Sequence, residues 1–130
     1  MTFLKAYAGV IVSFLVIDAV WIVLVAKPLY ERTLGAMMRE TPNFGAAAVF
    51  YLAYAAGVVL LECLPAVANA SPRTALINGA VIGGLAYGTF ATTNYALLKG
   101  WTAGLVVSDI LWGIAVTAVV AWCGYLVARW

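Results

Sequence analysis

Apolar positions run almost unbroken through four stretches of the chain, 3–26, 44–65, 75–98 and 102–128. Each meets the ~20 residues that a helix needs to cross a bilayer. None alternates with the period of two expected of a barrel strand, and backbone groups in lipid must be satisfied within their own segment, so all four are predicted helices. The links at 69–73 and 99–101 are short, which makes consecutive helices neighbours of opposite direction. The predicted fold is therefore an all-α integral membrane protein. It is one domain over residues 1–130, an antiparallel up-down-up-down bundle of four transmembrane helices.

The longest polar link, Lys27 to Asn43, carries a pattern of its own. Leu29, Tyr30, Leu34, Met37 and Met38 recur at helical spacing, with Glu31, Arg32, Arg39 and Glu40 on or beyond the other face. This predicts a short interfacial helix from Pro28 to Met38, followed by a turn at Thr41-Pro42-Asn43. Ser71 and Pro72 read as the N-cap and first helical position of the third span. That span also holds Gly79-x-x-x-Gly83 and Gly84-x-x-x-Gly88, small residues that let another backbone approach closely. The pattern fits packing inside the chain better than a dimer interface. Tyr51, Tyr54, Trp101, Trp122, Tyr125 and Trp130 read as interface anchors or packing residues.

Composition sharpens this picture by exclusion. The 130 residues are 66% hydrophobic and 9% charged, with mean hydropathy +1.05, against roughly 25% charged in soluble domains. No stretch is left over for a soluble domain. The net charge of +2 is spread over both ends and every link, so no basic stripe marks a nucleic-acid partner. Cys63 and Cys123 lie in apolar spans without Cys-x-x-Cys spacing, and the chain has no His, which removes the usual zinc, haem and imidazole chemistries. Neither a cofactor nor a metal is expected. The first apolar run continues to Ala26 and reads as an uncleaved span. Lys5, Arg73 and Arg129 on one side of the membrane face Lys27, Arg32, Arg39 and Lys99 on the other. This near balance leaves orientation open and permits dual topology.

Against that background two acids stand out. Asp18 precedes Trp21 by three residues and Asp109 precedes Trp112 by three, an echo that common membrane vocabulary explains. At ~1.5 Å of rise per residue both carboxyls fall ~10 to ~14 Å from the same membrane edge. Thr92, Thr93 and Asn94 reach that half from the third span. Charge in hydrocarbon is costly, so the acids are predicted to face the bundle interior. Asp18, Asn94 and Asp109 are the expected polar core site, with Trp21, Thr92, Thr93 and Trp112 supporting it. Close carboxyls would titrate as a pair and could relay protons or bind a cation; alternatively each satisfies a nearby partner and fixes helix register. Glu62, three residues before Pro65, is expected in the opposite half within reach of interfacial water.

The run Phe14-Leu15-Val16-Ile17-Asp18-Ala19-Val20-Trp21, then Pro42-Asn43, Phe50-Tyr51-Leu52-Ala53-Tyr54, Tyr87-Gly88-Thr89-Phe90, Thr93-Asn94, Leu98 to Trp101 and Asp109-Ile110-Leu111-Trp112-Gly113 resembles the bacterial membrane-protein family known as domain of unknown function 2177. The resemblance implies a four-helix protein of the bacterial inner membrane with no assigned activity. It also implies a departure at Ala91, where family members commonly carry an Asp. Three functions fit the residues. Size and the glycine-rich span favour an accessory or interaction subunit of a homo-oligomer or larger membrane complex. A small proton- or cation-coupled transporter using the Asp pair comes next, by analogy of architecture with small multidrug-resistance proteins. A lipid-modifying enzyme with the two acids as acid and base comes last, so an enzyme is not the favoured reading.

Overall fold

A computed structural model describes residues 1–38 and 43–130. Four helices in it are long and apolar enough to cross a membrane: α1 Thr2–Leu34, α2 Phe44–Ala68, α3 Pro72–Leu97 and α4 Ala103–Ala128. The helix begun at Thr2 does not stop at Ala26, where the hydrophobic run ends, but continues through Pro28 to Leu34. A short 3₁₀ turn, Gly35–Met37, follows it. Arg39, Glu40, Thr41 and Pro42, part of the expected interfacial helix and turn, lie outside the described residues.

Two wide π turns explain how helices carry internal prolines. In a regular α-helix a proline ring collides with the carbonyl four residues back. For Pro28 and Pro65 those residues are Leu24 and Leu61. Each sits inside a π turn, Ile22–Ala26 and Val59–Cys63 respectively, where the extra residue per turn relaxes the ladder. Pro28 therefore does not start a new helix, as its sequence context suggests; the preceding turn absorbs it.

Buried positions on α1 fall every four residues, at Ala6, Val10, Phe14 and Asp18. On α2 they are Ala55, Val58, Val59, Glu62, Cys63 and Ala66. α4 holds the most buried side chains and packs most extensively, against both α3 and α1. Early residues of α1 meet late ones of α4: the Lys5 ammonium donates to the Trp130 carbonyl at 2.6 Å, and Gly9 lies against Cys123, Gly124 and Val127. The α3–α4 seam is the tightest. A Cβ on Gly79 would stand 2.7 Å from Ala118 Cα and the Thr117 carbonyl, and one on Gly83 would overlap the Gly113 carbonyl and Thr117. Gly84 and Gly88 face Ile114 and Ile110 with more room.

Local capping fixes where α4 begins. The Thr102 side chain accepts from the Leu105 amide at 3.2 Å, satisfying one of the donors that a helix start leaves free. Thr102→Ala is expected to lower stability by about 1 kcal/mol, while Thr102→Ser leaves it near wild type. Thermal unfolding of the detergent-solubilised protein measures both.

Candidate functional site

The four-residue stripe of α1 that buries Ala6, Val10 and Phe14 ends on Asp18, and the matching stripe of α4 runs through Leu105, Asp109 and Gly113. Each acid thus occupies a position that packing reserves for the interior, and each is only 7% exposed. Both are met by aromatic donors rather than by each other. The Asp18 carboxylate accepts from the Tyr51 hydroxyl at Oδ2 and from the Trp112 indole Nε1 at Oδ1, the latter at 2.8 Å. Asp109 Oδ2 accepts from the Tyr30 hydroxyl at 2.6 Å. Three helices are tied together here: α2 to α1 through Tyr51, and α1 to α4 through Trp112 and Tyr30.

Aromatic packing holds these donors. Trp21 stacks on Trp112 with centroids 4.3 Å apart and planes 4° from parallel, so the two Asp-x-x-Trp motifs meet where α1 crosses α4. Phe14 meets Tyr51 edge-on at 4.9 Å. Trp101 stands edge-on to both Tyr30 and Phe90, at 5.5 and 5.6 Å. Further along the interior, Tyr54 and Thr117 share a hydroxyl hydrogen bond of 2.9 Å. Phenol and indole donors stabilise a carboxylate without cancelling its charge.

The expected constellation is only partly assembled. Asp18 and Asp109 come to one region of the α1–α4 seam, linked through Trp112, which follows Asp109 by one helical turn. Asn94 is half-buried on α3, and its side chain makes no hydrogen bond to either carboxylate among the described residues. Thr92 and Thr93 are exposed. Tyr51, read from sequence as an anchor or packing residue, and Tyr30, assigned to an interfacial helix, supply donors instead. Tyr30 stands 79 positions from Asp109 and Tyr51 stands 33 from Asp18, so no local pattern joins donor to acceptor; only the fold brings them together. Glu62 departs further from expectation. It is fully buried, and neither carboxylate oxygen has a partner among the described residues. Val59–Cys63 turns it inward with Val58 and Cys63 instead of toward the membrane edge. Trp101, read from sequence as an anchor or packing residue, is 7% exposed with its Nε1 unpartnered among the described residues.

The family model described as "Predicted membrane protein (DUF2177)" matches residues 3–126. The chain belongs to the DUF2177 family. Comparison with curated proteins and with solved structures returns no match. The DUF2177 match spans all four helices and both acids. In this DUF2177 chain Ala91 is fully buried on α3, one turn beyond Tyr87, whose ring lies against Gly113 of α4. That position therefore looks into the bundle, and this chain fills it with a methyl group.

Proposed function

We propose that this protein is a small transporter of the bacterial inner membrane that couples a proton or small cation to its cycle through Asp18 and Asp109. The observation that carries this reading is the pair of interior carboxylates, from opposite ends of the chain, each held by neutral aromatic donors (Tyr51 and Trp112 for Asp18, Tyr30 for Asp109). Intramembrane acids facing a bundle interior mark ion and proton sites by default. The contacts of Lys5 with Trp130, Asp18 with Trp112, and Gly79 with Ala118 support an up-down-up-down bundle, in which both acids lie in one half of the bilayer. The glycines of α3 lie against α4 of the same chain, as their pattern favoured over a dimer interface, which weakens their support for an interaction subunit.

Reconstituted vesicles carrying an internal pH dye and an imposed proton gradient test the proposal. Wild-type protein is expected to dissipate the gradient when a co-transported compound is supplied from a small-cation panel. Asp18→Asn and Asp109→Asn each reduce that flux at least tenfold without loss of folded protein. Equal flux in the folded variants and wild type refutes the role of the acids.

A second reading, an interaction subunit, is favoured by an open apolar groove of about 550 Å³ along α1 and α4. Ala8, Gly9 and Ser13 line one side of it and Cys123 the other, small residues against which a partner's transmembrane helix could pack. Thiol cross-linking from Cys123 in native membranes tests it: a discrete larger species is expected, and a monomer alone counts against it.

A further inference from the structure

Glu62 is fully buried, in the interior face that α2 presents to α1, α3 and α4. Its carboxylate oxygens have no hydrogen-bond partner among the described residues. An ionised carboxylate without a donor or counter-ion is far costlier to bury than a neutral acid. The groups facing this stretch are few. α2 itself contributes Tyr54, which is engaged with Thr117, and Cys63, whose thiol donates to the Ala121 carbonyl at 3.4 Å. α4 contributes Thr117, Cys123, and Tyr125 with Arg129 donating to its hydroxyl at 3.2 Å. α3 brings Asn78, whose amide donates to the Leu61 carbonyl at 3.4 Å. α1 contributes Ala6, Val10 and Phe14, with Tyr7 donating to the Leu52 carbonyl. Lys5 at the start of α1 is bound to the Trp130 carbonyl.

A hard metal cation needs about six oxygen ligands, which this hydrocarbon lining does not supply; a proton needs no ligand shell. The backbone adds a second, independent observation. Glu62 sits inside a π turn, a break in the regular ladder that recurs at functional sites, with Pro65 two residues beyond the turn's end. We infer that Glu62 is a proton-binding site of its own, separate from the Asp18 and Asp109 region: it carries its proton while the bundle is closed around it, and releases it when the Val59–Cys63 turn opens to water. The inference does not rest on the transport reading, since it concerns a different carboxyl in a different surrounding.

Infrared spectroscopy of protein labelled with ¹³C-carboxyl glutamate tests it directly. Glu31 and Glu40, the other two glutamates, are replaced by Gln so that Glu62 alone reports. At pH 7 a protonated-carboxyl carbonyl band with the isotope shift is expected, absent from the further variant Glu62→Gln. An ionised carboxylate band at pH 7 in its place overturns the inference. Glu62→Gln, which imitates the neutral acid in shape, should keep its melting temperature within a few degrees of wild type. A large loss of stability on that substitution would show that the negative charge is needed, and would overturn the inference equally. As a chemical readout, an apolar carbodiimide should add to the Glu62 carboxylic acid, its O–H adding across the N=C bond and the adduct rearranging to a stable N-acylurea with no leaving group. Peptide mass mapping should find that adduct at pH 7 and lose it at high pH once the turn has been loosened by Pro65→Gly. An adduct whose yield at Glu62 is unchanged across that range contradicts proton release through the turn.

Discussion

Gly83→Ala is expected to destabilise the protein by about 3 kcal/mol, the upper end of what overpacking a rigid contact costs. The added methyl would fall on the Gly113 carbonyl and on Thr117, and backbone cannot swing aside as a flexible side chain can. α3 would have to separate from α4, loosening the tightest seam in the bundle. Gly88→Ala, five residues along the same helix, is the contrasting case. Its new Cβ would lie 3.8 Å from Ile110 Cγ1, an ordinary contact. The helix-propensity gain of Ala over Gly, up to ~1 kcal/mol, should then leave stability unchanged or raised. Different outcomes for two glycines of one helix follow from the geometry, whereas equal effects in detergent denaturation would show that the seam is softer than these distances imply.

Asp18→Ala is expected to cost about 2 kcal/mol, because it strands two half-buried donors at once. Polar contacts in membranes average only ~0.6 kcal/mol, but an orphaned donor carries its own desolvation cost of ~1 to 3 kcal/mol, and that cost should dominate. The Tyr51 hydroxyl and the Trp112 indole both lose their acceptor. Tyr51→Phe alone should cost less. Combined with Asp18→Ala it should restore part of the loss, since one of the stranded groups is then gone. Such a double-mutant cycle isolates the pair; strictly additive losses would mean the hydrogen bond contributes nothing in solution. The functional arm of the same residue is separate, because Asp18→Asn removes the charge while keeping one oxygen to accept from the Trp112 indole, and its amide NH2 can donate to the Tyr51 hydroxyl oxygen in place of the lost contact.

The four spans could be read from sequence because hydropathy over ~20 residues depends on composition and length, not on partners. The inward direction of Asp18 could be read as well, since charge in lipid has few places to go, and a stripe of Ala6, Val10 and Phe14 leads to it. Tyr30 and Tyr51 could not. Helices that are apolar on every side show no moment to tell a core face from a lipid face, so which tyrosine turns inward depends on neighbours fixed only by the tertiary packing. Glu62 illustrates the same difficulty from the other direction. Proximity to Pro65 suggested a helix end near water, but the π turn at Val59–Cys63 carries the helix on and turns the carboxyl in. The partners of Asp109 were obscured by a similar cause, because Pro28 reads locally as a helix start and so detached Tyr30 from the first span.

The wide turn at Ile22–Ala26 also sets an angle. Asp18 and Tyr30 are twelve positions apart, and in an unbroken α-helix, at about 100° per residue, they would point about 120° away from each other. A π turn holds roughly one residue more than an α turn and so gives back most of that rotation. Asp18 and Tyr30 consequently both address α4, one reaching Trp112 and the other Asp109. The surplus residue acts as an azimuthal adjustment between two halves of one rod. Forcing 22–26 into a regular α turn with every residue kept would leave hydropathy and helix content as they are, yet swing the tyrosine about a quarter turn off its carboxylate.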